Sequence, residues 1–123
     1  MKVLIVEDSP DSRELLATII RKLGCEVAEA EDGAIGVDKA LTYQPDLILM
    51  DVEMPRMNGI EATSRLKTNA LTRDTPVVLV TAHTRWEVRR QEALAAGAAE
   101  LLRKPLSLET IRRVLKTYLK GTI

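Results

Sequence analysis

The fold of this chain is decided at residues 2–10, which read KVLIVEDSP. The first five of these form a short apolar run that is rich in β-branched residues and is followed by two acids, a pattern typical of a strand buried on both faces. Ser9 and Pro10 then favour the start of a helix, because Ser caps helix N-termini and Pro suits the first turn. This helix is predicted to end at Gly24, and its apolar stripe consists of Leu15, Leu16, Ile19, Ile20 and Leu23.

The same alternation of strand and helix patterns continues along the sequence. Further strands are predicted at residues 26–30, 46–50, 77–81 and 100–103. Helix starts are indicated by Asp32-Gly33, Asn58-Gly59, Thr84 in capping-box spacing with Glu87, and Ser107. The last helix is predicted to end at Gly121, with the apolar stripe Leu108, Ile111, Val114, Leu115, Tyr118 and Leu119. Five strands alternating with five helices require parallel strands, joined by right-handed crossovers and covered by helices on both faces.

Composition and charge restrict the class of protein. The 123 residues suit a single globular domain, 1–123, with no linker or internal repeat. Eighteen Lys and Arg balance eighteen Asp and Glu, and aromatic residues make up 2%, so we expect neither a basic nucleic-acid groove nor a stacking platform for bases. The single cysteine, Cys25, excludes an internal disulfide. Because no leader and no apolar run of membrane-spanning length occurs, we expect a cytoplasmic protein.

Polar residues follow four of the five predicted strands, at the edge where parallel α/β sheets bind ligands. They are Glu7 and Asp8 after the first strand, Asp51 after the third, Thr81 at the end of the fourth and Lys104 after the fifth. The second strand offers no comparable group, which places it at the side of the sheet. We therefore predict the strand order 2-1-3-4-5, that is, an α/β, flavodoxin-like, doubly wound (βα)5 three-layer sandwich with a parallel five-stranded sheet.

Three carboxylates that meet at one edge of a sheet need a cation. At an effective dielectric constant of 20, each close pair repels by about 4 kcal/mol at about 4 Å. Lys104 offsets part of this charge, and Mg²⁺, a hard ion with oxygen ligands, suits the rest, whereas Zn²⁺ would need a Cys or His cluster. Mg²⁺ would also orient an incoming phosphoryl group and leave a free carboxylate to attack phosphorus in line. Thr81 and Lys104 could then bind phosphoryl oxygens.

Four short motifs at these strand ends carry a resemblance to a known family. They are Glu7-Asp8, DVEMPRMNG at residues 51–59, Thr81-Ala82 and Lys104-Pro105. Their span covers nearly the full length of the chain, which resembles the receiver domain of the response-regulator family of two-component signal transduction. The resemblance implies a phosphorylation-controlled signalling module of a phosphorelay. Such a module is not an enzyme but a regulator that assists its own phosphorylation and dephosphorylation.

The resemblance also implies roles for the acidic residues and partners for the chain. Asp51 accepts a phosphoryl group from a phosphohistidine of a sensor histidine kinase or histidine phosphotransfer protein and forms an acyl phosphate. Asp8 and Asp51 ligate Mg²⁺ together with the backbone carbonyl of Glu53, and Glu7 acts mostly through water. The phosphorylated form binds a downstream protein target, and a homodimer through the fourth and fifth helices is a further option. No direct contact with nucleic acid or membrane is expected.

The same resemblance places the switch at the ends of the fourth and fifth strands. Thr81 and Ala82 follow the phosphoryl group, Lys104 binds a phosphoryl oxygen, and the peptide bond to Pro105 is expected to be cis. The family usually has Tyr or Phe three residues before the lysine, whereas this chain has Leu101. We therefore expect a displacement of Thr81 and its loop, rather than an aromatic rotation, to repack the face made by the fourth helix, fifth strand and fifth helix.

Two further residues lie where this family modulates the lifetime of the acyl phosphate. They are Glu53, two residues after Asp51, and His83, two residues after Thr81. The Glu53 carboxylate could repel or orient the attacking water. For His83 we favour the simpler interpretation of a solvated loop residue. Trp86 is interpreted first as a packing anchor at the start of the fourth helix.

Other functions are compatible with the predicted fold. A magnesium-dependent hydrolase or aspartyl-phosphate phosphatase would need a substrate cap, and also an acid or base near Asp51 beyond Glu53. A nucleotide or flavin binder would need a phosphate-binding loop, and the sequence has neither G-x-G-x-x-G nor a P-loop. An unphosphorylated scaffold is disfavoured because all five expected polar positions are filled. The receiver function is therefore the prediction, and the hydrolase is its alternative.

Overall fold

The computed structural model of the protein describes residues 1–82 and 85–119. Over these residues strands and helices alternate. The strands are β1 Lys2–Val6, β2 Glu26–Ala30, β3 Leu47–Asp51, β4 Val77–Thr81 and β5 Glu100–Arg103. The helices are α1 Pro10–Lys22, α2 Gly33–Tyr43, α3 Gly59–Lys67, α4 Trp86–Ala96 and α5 Leu108–Tyr118.

The strands form one parallel sheet of order β2-β1-β3-β4-β5, which confirms the predicted order. Apolar side chains on both faces of the sheet are buried, as expected for a parallel sheet between two helical layers. One core cluster lies between the sheet and the pair α1 and α5, and the other lies between the sheet and α2, α3 and α4. This three-layer arrangement confirms the flavodoxin-like fold class.

Four helices begin with a side-chain cap, in which a side-chain oxygen accepts the backbone N–H three residues further on. These capping residues are Ser9, Asp32, Asn58 and Ser107, as predicted. The fourth helix is different, because α4 starts at Trp86 after Arg85, whose side chain makes no capping hydrogen bond. Thr84, the predicted cap, lies outside the described residues, as does Gly121, the predicted end of the last helix.

The third strand lies one residue further along the chain than the predicted 46–50, which is therefore wrong at both ends. Asp46 precedes the strand, and its carboxylate accepts the backbone N–H of Lys2 at 2.8 Å. Asp51 belongs to β3 because it pairs with Val80 of β4. The phosphoacceptor candidate is thus the last residue of the strand and not the first residue of the loop.

Two leucines assigned to apolar helix stripes are exposed in the structure. Leu15 is 63% exposed, because α1 meets the sheet through Ala17 and Ile20 and its stripe is wider than the covered face. Leu108 is 49% exposed, since it is the first residue of α5 and precedes Ile111, where the helix reaches the core. No helix within residues 1–82 and 85–119 is long and apolar enough to cross a membrane.

Candidate functional site

The polar side chains predicted to form the site do come together at one edge of the sheet. Glu7 and Asp8 directly follow β1, Asp51 ends β3, Thr81 ends β4, and Lys104 directly follows β5. The backbone N–H of Lys104 donates to the carbonyl oxygen of Thr81 at 2.9 Å, so the turn after β5 is attached to the end of β4. Parallel pairing therefore supplies what the sequence predicted, a common edge for residues far apart in the chain.

Lys104 links the two buried carboxylates of this edge. Its Nζ donates to Glu7 Oε1 at 2.7 Å and to Asp51 Oδ2 at 2.9 Å. The second oxygen of Glu7 accepts the backbone N–H of Ser9 at 3.2 Å. Asp51 Oδ1, in contrast, is buried and has no hydrogen-bond partner within the described part of the chain. Because a buried polar atom without a partner is costly, this oxygen marks a place for a further ligand.

Burial and charge shift the pKa of each of these groups. Burial raises the pKa of Asp51 to about 6. The hydrogen bond from Lys104 lowers this pKa, and the charge of Glu7 raises it further, but burial has the largest effect. Burial would also raise the pKa of Glu7, but the hydrogen bonds from Lys104 and Ser9 outweigh it and hold that pKa below its ordinary value. Burial disfavours the Lys104 ammonium, yet the two carboxylates raise its pKa above the ordinary value. Lys104 therefore stays charged at neutral pH.

Three carboxylates make up a potential cation site. One oxygen from each of Glu7, Asp8 and Asp51 lies within 4.8 Å of the others. At that separation and an effective dielectric constant of 20, each ionised pair repels by about 3.5 kcal/mol. The pKa of Asp8 is raised by burial and by the neighbouring Glu7, as this repulsion predicts. The oxygen donors, their negative charge and the unsatisfied Asp51 Oδ1 fit a hard divalent cation such as Mg²⁺.

The loop after β3 is held by a close backbone contact that only glycine permits. The N–H of Gly59 donates to the carbonyl oxygen of Val52 at 2.9 Å. A Cβ on Gly59 would lie 2.3 Å from the carbonyl oxygen of Asp51, well inside van der Waals contact. The first turn of α3 is thereby pressed against the end of β3, and this fixes the backbone on both sides of Glu53.

A second contact fixes the same loop to α2, and sequence reasoning missed it. Arg56 has a left-handed backbone with φ of 67°, and its guanidinium bonds Asp32 Oδ2 through Nε at 2.9 Å and Nη2 at 2.5 Å. Asp32 was predicted only as the start of α2. Its pKa is lowered by the N–H of Ile35 and by Arg56. Nothing local in an arginine residue indicates a left-handed conformation, so the sequence carries little signal for this pair.

The hydroxyl group of Thr81 lies beside a carboxylate. Thr81 is completely buried, and its Oγ1 is 2.9 Å from both Oε1 and Oε2 of Glu53. Ala82, the next predicted switch residue, is exposed, and His83 lies outside the described residues. The Lys104–Pro105 peptide bond is cis, as expected. The two candidate residues Thr81 and Glu53 are therefore in direct contact, which the sequence did not predict.

At the position three residues before Lys104, where this family usually has Tyr or Phe, the chain has a leucine that packs in the apolar core. Leu101 is buried in β5 next to Leu79 of β4. Trp86, at the start of α4, packs against the same core cluster, which confirms its interpretation as a packing anchor. The guanidinium carbon of Arg103 lies 4.7 Å from the centre of the Trp86 ring. An aromatic ring therefore stands on this face of the molecule, but on α4 and not on β5.

Arg89 of α4 is the second residue that sequence reasoning missed. Its Nε lies 3.8 Å from Glu53 Oε2, and its Nη1 donates to Glu92 Oε1 at 2.7 Å. Arg89 also lines a cleft of about 350 Å³ together with Asp8 and Glu53. Nothing in the local sequence indicates the contact between Arg89 and Glu53, because a contact between distant elements leaves no local pattern.

The fold and the polar groups at this edge of the sheet are those that the four motifs predicted for a signalling receiver domain. Residues 3–116 match the family described as the response regulator receiver domain, and the chain belongs to that family. The resemblance seen in the four motifs is thereby confirmed. The protein is a receiver domain of two-component signalling.

Known relatives agree with this assignment. The chain is 37% identical over 120 residues to Protein PilH of Pseudomonas aeruginosa, covering 98% of each chain. It is 34% identical to the Vibrio cholerae chemotaxis protein CheY4, whose structure superposes with a TM-score of 0.87 over 95% of this chain and 97% of that one. The receiver domain of the Pseudomonas aeruginosa kinase PA1611, with a magnesium ion in its active-site cleft, is 29% identical with a TM-score of 0.88 over 98% of both chains. Several other curated relatives, among them histidine kinases, are longer, and this chain spans 31% of their length or less.

Proposed function

We propose that Asp51 is the phosphoacceptor of this receiver domain and that its phosphorylation depends on Mg²⁺. The observation that carries the proposal is the unequal environment of the two Asp51 oxygens. Oδ2 is bound by Lys104 Nζ at 2.9 Å, whereas Oδ1 is buried without a partner in the described structure. One side of the carboxylate is thus held in place, and the other has lone pairs available for a metal ion and for phosphorus.

The acidic cluster supplies the ligands for the metal ion in this proposal. Asp8, Asp51 and the backbone carbonyl of Glu53 would hold Mg²⁺ directly, and Glu7 would act mostly through water. When bound, Mg²⁺ would neutralise the carboxylates and orient the phosphoryl group. The magnesium ion in the related PA1611 receiver domain supports this choice. The site prefers oxygen-binding cations because Glu7, Asp8 and Asp51 offer only oxygen ligands.

In the proposed transfer, a carboxylate oxygen of Asp51 attacks the phosphorus of a phosphohistidine on a sensor kinase or phosphotransfer protein. The new P–O bond forms as the P–N bond breaks, and the imidazole leaves with the electron pair and takes up a proton from solvent. Lys104 then pairs with a phosphoryl oxygen, and the Thr81 hydroxyl turns from Glu53 to another. The backbone N–H of Ala82, the next residue in the chain, would donate to the same phosphoryl group. Solvent water later hydrolyses the acyl phosphate and regenerates the Asp51 carboxylate.

Phosphorylation of Asp51 is also proposed to change the surface that a partner binds. Movement of Thr81 would repack the face of α4, β5 and α5, where a downstream protein, or a second copy of the chain, would bind. Glu53 is proposed to set the lifetime of the acyl phosphate, with His83 as a second candidate position for that role, and residues 1–123 are proposed to act as one domain. The expected cytoplasmic location stays a prediction.

Mass spectrometry tests the phosphoacceptor directly. The protein is incubated with acetyl phosphate and Mg²⁺, and we expect a mass gain of one phosphoryl group that disappears with excess EDTA. Asp51→Asn should show no gain, whereas Asp74→Asn, which makes the same change at an exposed position before β4, should label as the wild type does. Labelling of Asp51→Asn to the wild-type level would refute the proposal. Rapid turnover of unrelated phosphate esters would favour the hydrolase instead.

A further inference from the structure

The phosphoacceptor site has a polar connection to α4 that the catalytic groups do not require. Thr81 Oγ1 is 2.9 Å from both carboxylate oxygens of Glu53, and Glu53 Oε2 is 3.8 Å from Arg89 Nε. This Nε is buried and has no hydrogen-bond partner among residues 1–82 and 85–119. Glu53 therefore stands between the hydroxyl that is proposed to follow the phosphoryl group and a guanidinium whose Nε is not yet satisfied.

The other end of Arg89 reaches the surface. Its Nη1 donates to Glu92 Oε1 at 2.7 Å, and the Glu92 side chain is 46% exposed on α4. A movement of the guanidinium towards Glu53 would therefore alter an ion pair on the outside of the helix. Leu101 offers no alternative connection, because a buried aliphatic side chain presents no polar group and no ring to this face.

We propose that Arg89 is a positioning residue that takes over the Glu53 carboxylate when the Thr81 hydroxyl turns to the phosphoryl group, and that it thereby carries phosphorylation of Asp51 into α4. This inference rests on the proposed phosphoacceptor function. Its physical basis is the difference between two states. Before phosphorylation the Glu53 carboxylate accepts a hydrogen bond from Thr81 and lies 3.8 Å from Arg89 Nε. After phosphorylation Thr81 has turned away, and the Glu53 carboxylate needs a new hydrogen-bond donor because it lies near a dianionic phosphoryl group.

Because a contact shifts an equilibrium only if it is stronger in one state, Arg89 must pair better with Glu53 in the phosphorylated form. The Arg89 Nε–H group, which has no partner among the described residues, can strengthen this contact, since a guanidinium binds a carboxylate best through two parallel N–H groups. Without Arg89, the released Glu53 charge would stay next to the phosphoryl group. The phosphorylated arrangement would then be disfavoured, and a phosphoryl analogue would bind more weakly.

The first test is nuclear magnetic resonance of the Arg89 Nε–H group in the full chain, assigned by its loss in Arg89→Lys. On addition of beryllofluoride and Mg²⁺ to the wild type, we expect this proton to shift downfield and to exchange more slowly with water. The shift should be absent in Glu53→Gln, in which the amide cannot form an ion pair. A wild-type Nε–H signal that stays in place while the Asp51 and Thr81 amide signals move would overturn the inference but leave the phosphoacceptor function standing. If those amide signals also fail to move, the proposed function fails and the inference falls with it.

A double-mutant cycle provides the second test, read as the affinity for beryllofluoride in the presence of Mg²⁺. Arg89→Gln should weaken binding by about threefold to tenfold, within the range of coupling between residues in contact, and Arg89→Lys should recover part of the loss. In the Glu53→Gln background the same Arg89→Gln change should have less than about a twofold effect. The matched control is Arg90→Gln, which removes the same charge from an exposed position of α4. An equal effect of Arg89→Gln with and without Glu53, or an equal effect of Arg90→Gln, would contradict the coupling.

Discussion

Replacement of Asp51 by Asn should stabilise the metal-free protein at neutral pH, although it removes the proposed phosphoacceptor. Asp51 is 7% exposed, and its charge lies near that of Glu7 with only Lys104 between them. Burial and this repulsion raise its pKa from 3.8 to about 6. The neutral form is therefore the preferred one in the folded protein, and Asn is a neutral side chain of the same shape.

The magnitude follows from linkage between protonation and folding. Between pH 3.8 and 6 the folded protein binds a proton that the unfolded chain has released, so the stability of the wild type falls as the pH rises through this window. One pH unit of pKa difference corresponds to about 1.36 kcal/mol, which gives a total cost of about 3 kcal/mol above pH 6. At pH 4.5 the cost is about 1 kcal/mol, because most of the wild-type carboxyl groups are still protonated in the folded state. Asp51→Asn has no such dependence.

Urea unfolding in EDTA, followed by the fluorescence of the single tryptophan, measures this difference. We expect the advantage of Asp51→Asn in unfolding free energy to grow from about 1 kcal/mol at pH 4.5 to about 3 kcal/mol at pH 7.5. Asp74→Asn, at an exposed position, should show no such growth. Mg²⁺ should then raise the stability of the wild type more than that of Asp51→Asn. A variant that is less stable than the wild type at pH 7.5, or whose advantage is the same at both pH values, would refute the reasoning.

Three further changes test the surroundings of the site. Gly59→Ala should lower the unfolding free energy by about 1–3 kcal/mol and slow labelling by acetyl phosphate, because a Cβ there would lie 2.3 Å from the Asp51 carbonyl oxygen; an unchanged urea midpoint would contradict the close contact. Asp32→Ala should cost about 1–2 kcal/mol in the same assay through loss of the α2 cap, and a loss below about 0.3 kcal/mol would be inconsistent with that role. Arg103→Gln should increase acrylamide quenching of Trp86, whose ring lies 4.7 Å from the guanidinium, whereas equal quenching would show that the stacking gives no protection.

Most of the fold could be predicted because its signals are local. The strands β1, β2, β4 and β5 have the predicted bounds. β1 and β4 are short runs rich in β-branched apolar residues, whereas β2 (EVAEA) and β5 (ELLR) also contain charged residues and were recognised by the turns beside them. The third strand was placed one residue too early, because an aspartate at a strand end resembles a loop residue until its pairing with Val80 is known. The exposure of Leu15 was not predicted either, because hydrophobic periodicity shows that a helix has an apolar stripe but not how much of that stripe the sheet covers.

The positions of the candidate site residues could be predicted, but their contacts could not. The positions of Glu7, Asp8, Asp51, Thr81 and Lys104 at strand ends were predictable, because the carboxyl ends of parallel strands share one edge. The direct bonds from Lys104 to Glu7 and Asp51 were not predicted, and neither was the contact of Thr81 with Glu53. Such contacts depend on side-chain rotamers and on the exact spacing of elements, neither of which is recorded in sequence periodicity.

The amino-acid sequence by itself determined the order of elements, the parallel sheet and the residue types at its edge, because hydrophobic periodicity, caps and turn residues act over a few neighbouring positions. Only the tertiary structure decided which of those groups touch. Lys104 and Glu7 are 97 positions apart, and Arg56 reaches Asp32 from another loop through a left-handed backbone. These pairs exist because the sheet and its two helical layers bring distant segments within hydrogen-bond distance. Each contact then lowers the pKa of the carboxyl group and raises the pKa of its cationic partner.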